Sequence, residues 1–393
     1  MKKIRVGILF GGRSGEHEVS LLSAASVLGA IDRKKYEVVP IGITKEGRWV
    51  TAGHAERLLG GDESGKHLRA GDPASTQPAA VLRKGESVLV PPVPSEALIP
   101  FERDAGAVTH AGPEQMLSVD VIFPVLHGTF GEDGTIQGLF ELAGMAYVGS
   151  GVLGSAAGMD KDAMKRLFAS AKLPMVKWVT FLRGEWEKSP KKVRAKIEAT
   201  LKYPVFVKPA NLGSSVGITK AHSAKELGPA IETAAQFDRK IVVEQGVGGK
   251  NGKARELEVA VLGNDAPEAS VVGEVVPIKE FYDYEAKYLS EGSDLIVPAK
   301  LNRAQTKQVR EMAVAAFRAC DCSGLARVDF LMEPGKTGRI YVNEINTLPG
   351  FTSISMYPRL WAASGVAYPK LIDRLIELGM ERRADKDRNK YSL

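Results

Sequence analysis

The sequence predicts an α/β protein, and three observations carry that reading. First, residues 4–10 form an alternating apolar strand that passes through the glycine turn GGRSGEHE into a helix over about 17–30. Second, the apolar stretch LSVDVIFPVL at 117–126 is followed by another glycine turn, GTFGEDG, and a helix over about 135–143. Third, the C-terminal part carries runs that read as paired antiparallel strands, at 256–262 with 270–278 and at 325–331 with 339–350. A length of 393 residues suits two or three domains that share interfaces.

Composition narrows the function classes. Hydrophobic content of 44% and charged content of 25% are ordinary for a globular chain with sizeable cores. No apolar run is long enough to span a membrane. The start, MKKIRVGILFGG, has a charged beginning and an apolar run, but the run is short and ends in Gly11-Gly12, so it reads as a first strand and not as a leader. The only cysteines, Cys320 and Cys322, sit too close for an ordinary structural disulfide and read as reduced thiols of a cytoplasmic protein. The net charge of +6 is dispersed, with much of the excess in the tail ERRADKDRNK, so no nucleic-acid patch is expected. Scattered positive charge suits an anionic small ligand such as a nucleotide.

Taken in order, the first helix carries Val19, Leu22, Ala25, Val27 and Leu28 as an apolar stripe. The turn before it is a ready anion site, because unpaired N–H groups and the helix dipole face outward there. Glu16 lies at that turn, either complementing the helix N-terminus or holding a substrate ammonium. A second strand spans 36–44. Residues 51–113 are rich in Gly, Pro, Ala and Ser, with one short strand pattern at 87–90, and read as an elaborated, partly mobile surface region. His127 follows the strand at 117–126, at the carboxyl end where open α/β sheets bind ligands, although a satisfied structural histidine is the plain alternative.

The middle third opens with a glycine-rich segment at 147–158 that leads into a helix reaching about residue 171, with Lys161 in its KDAMKRLF portion. A strand at 176–181 and a basic surface helix at 191–201 follow. YPVFVKPANLGSSVGITK then reads as strand, loop, strand: Lys208 ends the first strand, and the loop carries Gly213, Ser214, Ser215 and Gly217. Small residues let backbone N–H groups close over phosphate oxygens, and the hydroxyls add donors. The segment lacks the GxxxxGK[ST] pattern of a P-loop. Glu244 ends the next strand, as a solvated strand end or as an acceptor for ribose hydroxyls. The polar, tyrosine-rich segment at 279–298 has little periodicity and suits a loop that folds over a site. The helix at 303–320 is amphipathic, and its stripe of Val309, Met312, Ala313, Ala316 and Phe317 is core.

The strongest chemical signal is the hairpin LARVDFL–MEPGKTG–RIYVNEINTLPG. Side chains two apart on a strand share a face, so Arg327 goes with Asp329 and Glu344 with Asn346. If the two faces coincide, a guanidinium, two carboxylates and a carboxamide converge. That set suits Mg²⁺ bound to a polyphosphate, since Mg²⁺ takes one or two carboxylates plus phosphate oxygens and waters. A solvated face with a surface ion pair is the alternative.

The pieces GGRSGEHEVSL, HGTFGEDGTIQG, VKPANLGSSVG, FYDYEAKYLS, ARVDF and NEINTLPGFTSISM, in this order, closely resemble the D-alanine–D-alanine ligases of the ATP-grasp superfamily. The resemblance spans nearly the whole chain but says little about residues 51–113. It implies three domains: an N-terminal parallel-sheet α/β domain at 1–149, a central ATP-grasp domain at 150–245, and a C-terminal ATP-grasp domain at 246–393 with a mobile loop at 279–298. The two ATP-grasp domains are α+β and grip ATP between antiparallel sheets. The implied reaction joins two D-alanines at the expense of ATP through a D-alanyl phosphate, for peptidoglycan synthesis.

By the same resemblance, Asp329, Glu344 and Asn346 hold two Mg²⁺ ions, with Mn²⁺ able to substitute. Lys161, Lys208, Ser215 and Lys287 contact ATP phosphates, and Glu244 and Glu258 the nucleotide sugar. Glu16 pairs with the ammonium of the first D-alanine, with Val19, His127 and Tyr282 as further substrate contacts. Tyr288, Ser214 and Glu16 form a hydrogen-bonded trio, and Arg327 with the backbone of Gly350 stabilises developing negative charge. Ser355 and Met356 bind the carboxylate of the second D-alanine. The resemblance also implies a homodimer with no nucleic-acid or membrane partner. The intact FYDYEAKY pattern argues for an amide product. The alternatives are a D-alanine–D-lactate ligase, another ATP-grasp carboxylate–amine ligase, or a nucleotide-binding regulator without activity.

Overall fold

The computed structural model describes residues 2–51, 86–89, 97–104, 107–110, 117–249, 252–277, 293–335 and 338–391. Three sheets dominate, beside a small ribbon formed by Gly248–Gly249 and Gly252–Lys253.

The first sheet is centred on Ile4–Gly11, which pairs in parallel with Tyr36–Ile43 on one side and Val121–Pro124 on the other. Val6, Ile8, Leu9 and Phe10 are all buried, as expected for a strand covered on both faces. Beyond Tyr36–Ile43 the sheet continues antiparallel through Trp49–Thr51, Glu86–Leu89, Ala97–Asp104 and Ala107–His110. The parallel centre is thus extended by strands from the region that carried no motif. The stretch read as one strand over 117–126 is two pieces, Leu117–Ser118 and Val121–Pro124. Asp120 lies between them, and its carboxylate accepts from the Arg5 backbone N–H at 2.7 Å.

The second sheet is antiparallel, in the order Thr219–Ala221, Val205–Pro209, Lys240–Gln245, Trp178–Leu182. It has its own core, in which Phe181, Ile197, Val207, Leu227, Ile231 and Val243 are buried. Helices Pro190–Thr200 and Ala224–Phe237 contribute to that core. The second of these helices escapes a reading of the sequence because Gly228-Pro229 lies inside it, a pair that ordinarily marks a turn.

The third sheet is antiparallel, in the order Ser293–Ile296, Glu268–Pro277, Arg255–Gly263, Gly324–Met332, Ile340–Asn346. One face, with Leu257, Val259, Val261, Val328 and Phe330, packs on helix Arg303–Ala319. The other face is divided. Its apolar part, Ala260, Leu262 and Leu325, joins the core of the first sheet together with Tyr357, Trp361 and helix Tyr368–Lys386. Its polar part opens toward the second sheet.

The single helix expected up to about residue 171 is also two, Val152–Met159 and Lys161–Ser170. Asp160 separates them and caps the second: its carboxylate accepts from the N–H groups of Asp162 and Ala163, each at 3.0 Å. It also pairs with Lys240 of the second sheet at 2.5 Å. A capping carboxylate of this kind is worth roughly 1–2 kcal/mol. Asp160→Ala is therefore expected to lower stability by about that amount, and Asp160→Asn to restore most of the cap. Thermal midpoints of the three proteins check this; equal midpoints would remove the cap from the account.

Candidate active site

The three sheets enclose a cavity of about 860 Å³. Every site residue expected from the sequence that falls within the described residues lines it. Tyr282, Lys287 and Tyr288 lie outside the described residues.

The first sheet and its loops contribute Glu16, Val19 and His127. Glu16 directly precedes helix His17–Ala30, and its carboxylate accepts from the Ser214 hydroxyl of the loop between Val205–Pro209 and Thr219–Ala221. Two members of the expected trio are therefore in contact. Ser214 and Ser215 both have positive φ, 49° and 61°, a tight loop geometry that L-residues seldom adopt. The Ser14 hydroxyl donates to the His127 carbonyl at 2.6 Å and accepts from the Glu16 backbone N–H at 3.2 Å. Gly128, at φ 73°, has a backbone conformation that favours glycine, and a Cβ there would stand 2.6 Å from Glu16 Oε2 and push that carboxylate aside.

His127 is buried, and both ring nitrogens have protein partners: the Leu348 carbonyl at 3.0 Å and the Ser23 hydroxyl at 3.2 Å. Burial lowers its pKa, against the pull of Glu16. In this arrangement the ring braces the turn before Gly350, and a polar contact to substrate requires one nitrogen to change partner.

Helix Lys161–Ser170 and the second sheet supply the cations. Lys161 Nζ donates to the Leu212 carbonyl at 2.7 Å and lies 3.9 Å from Glu344 Oε2. Lys208 Nζ donates to Glu244 Oε2 at 2.8 Å, and Lys165 Nζ stands 3.2 Å from Glu244 Oε1. Burial works to raise the Glu244 carboxyl, but Lys165 and Lys208 outweigh it and hold it down at about 2. Glu244 therefore has each oxygen engaged by one lysine, and a ribose hydroxyl would have to share an oxygen with a lysine.

The third sheet brings its polar residues into register. Asp329 pairs with Glu344 across the strands, and Arg327 with Asn346. Arg327 grips Asp329 with two bonds of 2.7 Å and stands 3.1 Å from Glu258 Oε2. Asn346 Nδ2 donates to Asp329 Oδ2 at 3.0 Å. This convergence depends on a β-bulge. Ile340 and Val342 face the core; by simple alternation Glu344 would follow them inward. The register shifts between Asp329 and Phe330, Asn343 is the extra residue, and from there Glu344 and Asn346 face the cavity while Ile345 faces the core.

Gly350, Ser355 and Met356 complete the wall. The turn is anchored by Phe351, which packs in the shared core against Phe123, Tyr357 and Tyr368 at centroid distances of 5.7, 5.9 and 5.6 Å. Ser355 stands at the N-cap position of helix Met356–Ala363 with its hydroxyl bonded to Thr352, and the helix N-terminus opens on the cavity as an anion site.

The lining or supporting residues not singled out from the sequence include Glu132, Glu256 and Lys165. Glu132 lies in the second glycine turn, Glu256 two residues before Glu258 on the same strand face, and Lys165 one helical turn after Lys161. The i, i+4 spacing of the two lysines was the signal available for Lys165. Among the described residues no group of three or more His, Cys, Asp or Glu side chains forms a metal cage. The third sheet offers two carboxylates and a carboxamide instead, hard oxygen donors of the kind Mg²⁺ takes when substrate phosphates supply further ligands.

Comparison with known proteins agrees along the whole chain. The family profile described as D-ala D-ala ligase N-terminus matches residues 5–150, and that described as D-ala D-ala ligase C-terminus matches residues 167–377. A D-alanine–D-alanine ligase of Bacillus cytotoxicus is 46% identical over 394 residues, covering 100% of both chains. One of Heliobacterium modesticaldum is 49% identical over 389 residues, covering 99% of this chain and 98% of its own. Among solved structures, the VanG D-Ala:D-Ser ligase of Enterococcus faecalis superposes with a TM-score of 0.78 at 35% identity, covering 96% of this chain and 100% of its own. The D-alanine–D-alanine ligase of Coxiella burnetii gives 0.75 at 32% identity, covering 98% and 97%.

One carboxyl in the cavity has a shift opposite to that of Glu244. Glu132 accepts from the Gly128 N–H at 2.7 Å. Burial and the Glu16 carboxylate push it up to about 8, against the amides of Gly128 and Leu348 and the charge of Arg327. A carboxyl raised above its ordinary value of 4.5 contributes stability that is full below that pH and lost as pH rises to about 8. Glu132→Gln, which mimics the protonated acid, should flatten the fall of the thermal midpoint between about pH 5 and 8. An unchanged slope would show that Glu132 does not titrate in that window.

Proposed function

The chain belongs to the D-alanine–D-alanine ligase family, and we propose that it joins two D-alanines into D-alanyl-D-alanine at the expense of ATP. It is an ATP-dependent ligase of ATP-grasp fold, serving peptidoglycan synthesis. The observation that carries the substrate reading is the gathering of Glu16, Ser214, Lys208, Arg327, Asp329 and Glu344 around one cavity.

The chemistry follows from what each substrate lacks. A free carboxylate is a poor acyl donor. Transfer of the γ-phosphoryl of ATP to the carboxylate of the first D-alanine yields D-alanyl phosphate and ADP. The amine of the second D-alanine then attacks the carbonyl carbon; the C–N bond forms, the C–O bond to phosphate breaks, and the amine gives up its proton. Glu16 would hold the ammonium of the first D-alanine, with Val19 and His127 at its side. Lys161, Lys208 and Ser215 would bind the phosphates, and Glu244 and Glu258 would stand at the sugar. Arg327 and the backbone of Gly350 would stabilise the oxyanion of the tetrahedral intermediate. Ser355 and the N-terminus of helix Met356–Ala363 would receive the carboxylate of the second D-alanine.

Asp329, Glu344 and Asn346 would hold Mg²⁺, or Mn²⁺ in its place, which when bound neutralises charge on the transferring phosphoryl group. From the resemblance we add Tyr282, Lys287 and Tyr288 as loop residues that close over the substrates and exclude water, which matters because an acyl phosphate hydrolyses readily. The reading divides the chain at about residues 149 and 245. It also takes the enzyme to be cytoplasmic and homodimeric; among the described residues no helix is long and apolar enough to cross a membrane.

A phosphate-release assay with ATP, Mg²⁺ and a panel of D- and L-amino acids and D-lactate tests the reaction. Release should depend on D-alanine and ignore L-alanine, with the dipeptide amide as main product at neutral pH. Mostly depsipeptide, or a mixed dipeptide preferred when D-serine competes, would reassign the second substrate. Glu344→Ala should lower turnover by at least about a hundredfold, because it removes a metal-site carboxylate. Near-normal activity would refute that assignment.

A further inference from the structure

Lys165 is a fully buried cation that the reaction as described leaves without a task. Its ammonium lies behind the cavity wall, between two residues that line it, Glu244 and Asn343. On one side it stands 3.2 Å from Glu244 Oε1 of the second sheet. On the other it donates to the carbonyl of Asn343, the bulged residue of the third sheet, at 3.5 Å. Glu244 Oε2 is held by Lys208 at 2.8 Å, so one buried carboxylate lies between two lysines.

The charge balance of that trio is the argument. Within the trio, two ammonium groups and one carboxylate leave one positive charge in a water-poor site, which the carboxylates of Glu344 and Glu256 also act on from the third sheet. Glu244 and Lys208 alone would form a neutral, closed pair, with Lys208 drawn fully onto the carboxylate. With Lys165 sharing the carboxylate, Lys208 is held by one bond, and an ammonium with three N–H donors keeps capacity for phosphate oxygens. Burial magnifies the effect, because charges separated from water interact more strongly.

We propose that Lys165 is a positioning residue for the nucleotide: it takes up one oxygen of Glu244, so that Lys208 remains available to an anionic phosphate. This rests on the nucleotide-binding reading of the cavity. Lys165 does not touch the reacting atoms; it acts through Glu244 and Lys208. Its link to the Asn343 carbonyl ties the same device to the strand that carries Glu344.

Calorimetric titration of the whole protein with Mg-ADP, together with steady-state KM values for ATP and D-alanine, provides the test. Lys165→Met keeps the length of the side chain and removes the ammonium. Its ADP dissociation constant and its KM for ATP should rise by about tenfold or more, while the KM for D-alanine stays within about twofold. A matching rise in both KM values, or no rise in either, overturns the proposal. Should Lys165→Met fail to fold, Glu244→Gln is compared with Glu244→Gln/Lys165→Met, where the buried pair is removed together. With the carboxylate gone, deleting Lys165 should change ADP affinity by less than about threefold; a tenfold loss there means Lys165 does not act through Glu244. Failure of the unaltered protein to bind ADP would overturn the nucleotide reading itself, which separates that failure from this one.

Discussion

The apolar core shared by the first and third sheets is the constraint on which the site depends. Phe10, Val121 and Phe123 of one sheet and Ala260, Leu262 and Leu325 of the other belong to one buried cluster. That cluster fixes the carboxyl ends of the parallel strands beside the polar half of the antiparallel sheet. Phe351 is its contact with the chemistry, since the residue before it is Gly350 and its ring is packed among three others. The second sheet has a separate core and meets the rest through polar groups, among them Ser214 with Glu16 and Glu244 with Lys165. Apolar packing sets the frame; polar contacts between the units shape the cavity within it.

Electrostatics inside the cavity follows from which partners each carboxyl has. Glu244 is buried and Glu132 partly buried, and loss of water by itself raises a carboxyl. Glu244 has two lysines and ends at about 2, whereas Glu132 faces another carboxylate and ends at about 8. Asp329 is held by Arg327 and the Asn346 amide. The cavity is therefore arranged as local clusters of opposite charge, not as a uniformly positive pocket. Such clusters suit a ligand that carries anionic phosphates, a cationic ammonium and divalent ions together.

Much of this was legible in the residues. Alternation of apolar side chains located the central strand, and the glycine turns located Glu16 and His127. The hairpin face could be read from a period of two on each strand. What could not be read was of three kinds. Helix Ala224–Phe237 contains Gly228-Pro229, so its local signal contradicts its tertiary state. Asp120 and Asp160 break elements that look continuous, because backbone N–H groups at those points are satisfied by side chains. The partners of His127, Glu244 and Lys165 come from distant segments, and no local pattern encodes which of two roles a buried polar residue takes.

The bulge at Asn343 has a consequence for how this chain tolerates change in length. Gly324–Met332 and Ile340–Asn346 are joined by residues 333–339, outside the paired segments, where a residue gained or lost does not by itself alter which way later side chains point. Between Ile340 and Glu344 it is the pairing register that decides the facing. The direction of each side chain there is a matter of odd and even position, and the extra residue converts one parity into the other. Removing Asn343 itself would close the bulge and leave Val342 opposite Phe330 and Glu344 opposite Asp329, so Glu344 and Asn346 would still face the cavity; drawing Asn343 into regular pairing opposite Asp329 would instead turn Glu344 and Asn346 toward the apolar core. The orientation of Glu344 and Asn346 therefore depends on Asn343 staying outside the ladder, not on the length of the strand.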